Sequence, residues 1–167
     1  SRLVTGIAFS REETLISLSG MPQKIGLEGY LLGKLAAANI EVDMIAQNTT
    51  GQNSVDFTFT MQRREHSKAL KLIEELSTEW GAITLRTNPK VAKISLVGIG
   101  MRSHTGVAET MFKALGDAGI SIQMITTSEI KISVVVDEIH LEQGVKAIHQ
   151  AFELDKLPES SKHAFIE

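Results

Sequence analysis

The chain contains no cysteine in its 167 residues, so neither a disulfide nor a thiolate metal site can be built from it. It has no excess of basic charge either. Lys and Arg number 17 against 20 Asp and Glu, which gives a formal net charge of −3 and a pI near 6.0. A chain of that balance offers no basic field to nucleic acid or to an anionic membrane. No apolar run approaches the roughly 18 residues of a membrane span, and no secretion-signal pattern opens the sequence. Aromatic residues make up only 5%, too few for the exposed stacking platform of an RNA-recognition domain; Phe57 and Phe59 alternate with Thr58 and Thr60 as a core face would. An initiator methionine is also lacking, as expected of a piece of a longer protein. These absences point to a soluble cytoplasmic protein. At 43% hydrophobic it can bury one core or two small ones, since a domain of about 70 residues is near the lower limit for folding alone.

What is present is an internal repeat. Ile16-Ser17-Leu18 lies over Ile94-Ser95-Leu96, and Gly20 over Gly98. After two extra residues in the second loop, Gly26 matches Gly106, Leu35 matches Leu115, Ala38 matches Ala118 and Ile40 matches Ile120. Met44-Ile45 then matches Met124-Ile125. Further on, Phe57 to Thr60 is read over Ile130 to Ser133, which gives the first copy about seven extra residues near Thr49 to Val55.

Each copy has the same order of periodicities. Strand alternation at Leu15 to Ser19 and Lys93 to Val97 is followed by a glycine-bounded loop and an amphipathic helix. The helices carry Leu27, Leu31, Leu35 and Ala38 in one copy, and Val107, Met111, Ala114, Leu115 and Ala118 in the other. Asn39 and Gly119 are suited to stop them. Strands are expected at Ile40 to Ala46 and Ile120 to Thr126, then at Asp56 to Met61 and Ile130 to Val136. Second helices follow, with stripes Ala69, Leu70, Ile73, Leu76, Trp80 and Leu141, Val145, Ile148, Phe152. Ile83 to Thr87 gives the first copy a fourth strand and completes βαββαβ, the split βαβ or ferredoxin-like unit of an α+β fold. The second copy has no such strand after Phe152, while Leu3 to Phe9 precedes the first copy without a partner. An unpaired sheet position leaves backbone groups or an edge exposed. We therefore expect the first copy, residues 15–88, to be inserted into the second, 3–9 with 90–155, leaving 156–167 as a tail.

Candidate chemistry is sparse. His140 and His149 are nine apart and do not share a face with metal-ligand spacing. Ser103-His104 is half of a dyad without an acidic partner. The charged residues from Gln62 to Lys71 and Glu74-Glu75 read as solvated helix faces, and Trp80 as a core anchor. No catalytic or metal residue is assigned. The corners Gly20 to Gly26 and Gly98 to Gly106 are more informative. Free N–H groups at a helix start attract a carboxylate, and glycine lets a small ligand approach the backbone. Neither corner has the Gly-Lys-Ser/Thr ending of a phosphate loop. Gln47-Asn48-Thr49-Thr50 and Thr126-Thr127-Ser128-Glu129 end the second strands with groups able to bind a small zwitterion; ordinary turn chemistry is the alternative.

Several of these segments are familiar. VTGIAFSRE from Val4, GYLLGKLAAANIEVDMIAQN from Gly29, DFTFT from Asp56, and the combination of KISLVG, GMRSH.GV and MITTSEI.ISV from Lys93 onward resemble the regulatory region of bacterial aspartate kinases, nearly throughout from Val4 to Leu154. The likeness is to the lysine/threonine-regulated class, whose two ACT domains are nested. It implies feedback control of the first step of lysine, threonine and methionine synthesis. It also implies a separate kinase domain using ATP and magnesium to phosphorylate the β-carboxylate of aspartate. The kinase domain's Lys-Phe-Gly-Gly start is absent here, so no cofactor is expected on this chain. The resemblance implies an effector held between the first ACT domain of one chain and the second of another, in a homodimer. By motif position the effector would meet Gln23, Lys24, Ile25, Gly26, Gln47 and Asn48 from the first domain. From the second it would meet Ala108, Ser121 and Ile122. The family's first loop often has aspartate at the place of Gln23 and proline at that of Ile25. Gln23 cannot pair with an ammonium by charge, so threonine is expected ahead of lysine. A stand-alone sensor of the same type, a ferredoxin-like enzyme such as an acylphosphatase, and an RNA-binding domain are the alternatives. The repeated corners offer no matching Arg/Asn pair for the enzyme.

Overall fold

A computed structural model describes residues 4–51, 53–98, 105–154 and 163–166. It divides into two compact units, Glu12–Lys90 and Ser1–Arg11 with Val91–Glu167. The elements are β1 (Val4–Pro22), α1 (Leu27–Ala37), β2 (Val42–Thr50), β3 (Ser54–Gln62), α2 (His66–Leu76), β4 (Thr84–Gly98), α3 (Thr105–Asp117), β5 (Met124–Thr127), β6 (Lys131–Asp137), α4 (Leu141–Ala151) and β7 (His163–Ile166). Single 3-10 turns at Arg63–Glu65 and Glu138–His140 lead into α2 and α4.

In the Glu12–Lys90 unit the strand order is β2-β3-β1-β4, using the second half of β1 and the first half of β4. Both β2 and β1 pair with β3 antiparallel. Alternation sets the two faces. Ile16, Leu18, Phe57, Phe59 and Met61 point to one side and meet Leu27, Leu31 and Leu35 of α1 and Ala69 and Ile73 of α2. The rings of Phe57 and Phe59 lie 5.7 Å apart, tilted by 49°. Burial of each such side chain contributes about 1.5–3 kcal/mol. On the other face the cross-strand pair Ser17 and Thr58 is joined by a hydroxyl hydrogen bond of 2.8 Å.

The second unit is built in the same way, with β5-β6-β4-β1 in order and β7 on the far side of β1. Ile94, Leu96, Ile132, Val134 and Val136 meet Val107, Met111 and Leu115 of α3 and Leu141 and Ile148 of α4. The pair Ser95 and Ser133 repeats the hydroxyl bond, at 2.6 Å and buried. Gly144 permits the close approach of α4, since a Cβ there would lie 2.8 Å from Ile94 Cδ1.

The helix ends repeat too. Asn39 and Gly119 take left-handed φ values of 63° and 75°, and the next N–H reaches back in each copy: Ile40 to the Leu35 carbonyl and Ile120 to that of Leu115, both at 2.9 Å. A side chain of the following helix then satisfies an exposed carbonyl of the first. Lys68 donates to the Ala38 oxygen, and Gln143 donates to the Ala118 oxygen at 3.3 Å. On α3, Lys113 has its pKa raised by a hydrogen bond to Asp117, a pairing one turn apart.

Four expectations need correction. Leu3 to Phe9 and Leu15 to Ser19 are not separate strands: β1 runs through both, with Glu12 at φ 58° between them, and Leu3 itself lies outside the described residues. Ile83 to Thr87 and Lys93 to Val97 likewise merge in β4 across Asn88-Pro89. The third strands align two residues away from the reading above. Leu18 pairs with Phe57 and Leu96 with Ile132, so Phe57 corresponds to Ile132 and the extra segment is shorter. Finally, the tail is not without structure, because His163–Ile166 pairs parallel with Gly6–Phe9. The rest of that tail, 156–162 and 167, lies outside the described residues. Among the described residues no helix is long and apolar enough to cross a membrane.

Candidate functional site

The first corner is shaped by its own backbone. β1 bulges between Leu18 and Met21, and the Gly20 N–H donates to Asp56 Oδ1 at 3.3 Å. The Gln23 N–H donates to the Asn53 carbonyl at 3.0 Å, tying the loop to the tip of the β2–β3 hairpin. Lys24 N–H turns back to the Pro22 carbonyl, also at 3.0 Å. Gly26 stands at the N-cap with φ 87°, where a side chain would be strained, and provides no side-chain cap. The Leu27 N–H donates to the Lys24 carbonyl at 3.1 Å, so the amides of Glu28 and Gly29 are those of the first turn of α1 that have no carbonyl to reach inside the helix. Ile25 is fully exposed.

This corner borders a cavity of about 530 Å³, lined by Lys24, Ile25, Gly26, Tyr30, Glu75 and Trp80 among others. Leu76 and Glu79 complete its wall from α2 and the turn after it. Trp80 does pack against the core, as expected, and it also faces this cavity. Tyr30 is covered on one side by Lys34 Nζ, 5.3 Å from the ring centroid. Tyr30, Glu75 and Glu79 had no signal in the sequence: the cavity is made by ends of two helices far apart in the chain.

Gln47 and Asn48 do not end their strand; β2 continues through Thr50. Gln47 pairs with Phe57 and Asn48 with Asp56, so the two exposed side chains leave opposite faces of the sheet. Gln47 shares the helix-side face with Ile45, which borders a second cavity of about 740 Å³ together with Leu32, Ala36, Val42 and Arg64. Asn48 shares the other face with Asp56, which holds Gly20.

Ala108, Ser121 and Ile122 belong to the other unit. Ala108 on α3 and Ile122 pack partly against its core, and Ser121 is exposed in the segment before β5. Thr126 and Thr127 lie in β5, and Ser128 follows turn chemistry: its N–H donates to the Lys131 carbonyl at 2.8 Å, and its hydroxyl accepts from the Ile130 N–H at 3.4 Å. Most of the second glycine corner, including Ser103-His104, lies outside the described residues. Among the described residues no group of three His, Asp or Glu side chains is placed to hold a metal.

The model of the ACT domain matches residues 94–152. The chain is 50% identical over 153 residues to an aspartate kinase from Pseudomonas putida, covering 92% of this chain and 37% of that protein. A crystal structure of aspartokinase alpha and beta subunits superposes with a TM-score of 0.82 at 45% identity, covering 90% of this chain and 99% of that one. The regulatory subunit of aspartate kinase from Thermus thermophilus, ligand free, superposes at 0.83 with 35% identity over the same shares. The chain belongs to the regulatory ACT-domain family of aspartate kinases. It spans little more than a third of the length of the curated aspartate kinases it matches. In the region matched by the ACT-domain model β6 pairs antiparallel with both β4 and β5, and in each unit the helices pack on one face of the sheet.

Proposed function

We propose that this region senses an amino acid and carries feedback inhibition to the kinase domain of an aspartate kinase. It does so as a cytoplasmic homodimer of two ferredoxin-like ACT domains, the first inserted into the second. The division into Glu12–Lys90 and the flanking segments supports the nesting, and the ligand-free regulatory subunit it resembles supports the role. The observation that carries the effector reading is the first corner: an uncapped helix start behind Gly26, beside a cavity walled by side chains of α2 and the turn after it.

A free amino acid needs its carboxylate, ammonium and side chain recognised together. The first-turn amides of α1 suit the carboxylate. Gln47 offers donors and acceptors without titrating near neutral pH. Ser121 and Ile122 of a facing domain would complete the enclosure, Ile122 against a methyl or an aliphatic stem. Threonine is the first choice, because Gln23 brings no charge for a second ammonium. Lysine is the second reading, and a specific observation favours it: Glu75 and Glu79 put carboxylates on the wall of the cavity that Lys24 to Gly26 border. Binding across two domains lets the ligand prefer one arrangement, and a coupling of about 1–3 kcal/mol would make an effective switch. ATP and magnesium belong to the kinase domain in this reading, which phosphorylates the aspartate β-carboxylate.

Isothermal calorimetry with threonine, lysine and methionine tests the proposal. Heat with threonine or lysine, and none with methionine, is expected. No heat with any of the three overturns the sensor reading for this region.

A further inference from the structure

β1 and β4 each carry an irregularity where the chain passes from one unit to the other. Glu12 sits at φ 58°, which an L-residue rarely adopts, and Pro89 has no N–H to give a ladder. Main-chain carbonyls beside these two points accept hydrogen bonds from side chains. The turn after β3 brings them. Arg63 Nε donates to the Pro89 carbonyl at 2.7 Å, and Arg63 Nη2 donates to the Glu13 carbonyl at 3.3 Å. One turn on, His66 Nδ1 lies 2.7 Å from Thr14 Oγ1, and the Thr14 hydroxyl lies 3.3 Å from the Asn88 carbonyl. A carbonyl only accepts, and threonine has one hydroxyl hydrogen, so both contacts are satisfied together when Nδ1 carries its proton and donates. Each side chain thus bridges the same two strands, Arg63 at Glu13 and Pro89, His66 through Thr14 at the preceding residue of β4. The sequence gives no hint of this, since Arg63 reads there as part of a solvated helix face.

We propose that Arg63 and His66 form a clasp that locks β1 and β4 together beside Glu12 and Pro89, and that opening it frees both strands to bend there. The guanidinium suits the task because its planar fork reaches two carbonyls at once, which a lysine ammonium on a flexible stem does not. The residues on either side of Arg63, Gln62 and Arg64, line the cavity of about 740 Å³ between α1 and β2. A group entering that cavity would meet the turn that carries the clasp.

Amide hydrogen exchange on the whole chain tests it, read by mass spectrometry for Arg63→Lys, Arg63→Gln and His66→Ala. Exchange at Glu13 to Leu15 and at Thr87 to Lys90 should rise about tenfold, the scale of one lost hydrogen bond. Phe57 to Met61 in β3 should keep its protection, and Lys71→Ala, which alters an exposed residue of α2 outside both the clasp and the cavity, should leave every segment unchanged. Unchanged exchange beside Glu12 and Pro89 in all three clasp variants overturns the proposal. So does an equal rise throughout β3 and α2, because Arg63 would then merely support the fold. If His66→Ala alone fails to fold, the two Arg63 variants still decide the matter.

Discussion

The two hairpins show how a duplicated unit has diverged. In β2–β3 nine residues face nine, and pairing runs on to Thr50 with Ser54. In β5–β6 four residues face seven, and the ladder stops at Thr127 with Ile132. Gln47 corresponds to Thr127 and Asn48 to Ser128, by their partners Phe57 and Ile132. At Ser128 one copy turns the chain; at Asn48 the other continues and displays Asn48, Thr49 and Thr50 to solvent. The extension also carries Asn53, whose carbonyl holds the Gln23 N–H of the glycine corner. An insertion in a hairpin has thereby become a support for the loop that follows β1 beside it.

The largest way to break the comparison is to empty one core. Phe59→Ala should cost about 3–5 kcal/mol, as a fully buried aromatic does. Trp80, the single tryptophan, packs against the same cluster, so its fluorescence during urea unfolding reports on that unit. A midpoint shift worth less than about 1 kcal/mol would contradict the burial of Phe59.

Much of this pairing was legible before any coordinates. Helix stripes, the stops at Asn39 and Gly119, and the repeat itself all follow from local pattern. The slip in the third strand has a clear origin. A one-residue shift turns a strand inside out, but a two-residue shift keeps every face, so alternation alone could not exclude it. The breaks at Glu12 and Pro89 look like strand ends because polar residues and proline usually are; only three-dimensional pairing shows the strands continuing. In the candidate site, adjacency in sequence does not give a shared direction. Gln47 and Asn48 read as one polar cluster, yet neighbours on a strand point apart.

A second test concerns the effector and uses the same correspondence. Gln47→Ala should weaken binding of the effector by about 1–3 kcal/mol, the cost of leaving a partner unpaired. Thr127→Ala, its counterpart, should leave affinity within twofold if the site uses the first hairpin and not the second. Calorimetry on both decides: equal affinities for wild type and Gln47→Ala remove Gln47 from the site, and a larger loss at Thr127 reverses the assignment of the two copies.

A third compares the second helices. Gly144 corresponds to Ala69, and both are buried. Gly144→Ala adds a methyl 2.8 Å from Ile94 Cδ1. Overpacking costs about 1–3 kcal/mol, and the better helix propensity of alanine returns about 1 kcal/mol. The net loss should be about 1 kcal/mol in thermal or chemical unfolding. A gain in stability would mean that Ile94 rotates away without strain and that α4 can be packed as α2 is.

The smallest effect is expected where the two copies solve one problem with different residues. Asn39 and Gly119 occupy the same left-handed position after α1 and α3, and both copies then return an N–H to the leucine carbonyl. Asparagine tolerates this conformation better than other side-chain-bearing residues, though at some steric cost that glycine does not have. Glycine, however, loses more conformational freedom on folding, about 0.4–1 kcal/mol relative to a residue with a side chain. The terms oppose each other, so Asn39→Gly and Gly119→Asn should each shift stability by less than about 1 kcal/mol, with opposite signs. Asn39 is exposed and also borders the cavity of about 740 Å³, whereas a Cβ at Gly119 would meet nothing within 4 Å. Urea midpoints for both variants check this. A loss above about 2 kcal/mol at Asn39 alone would show that its side chain does more than cap the helix, and would make the cavity beside it the place to look for the reason.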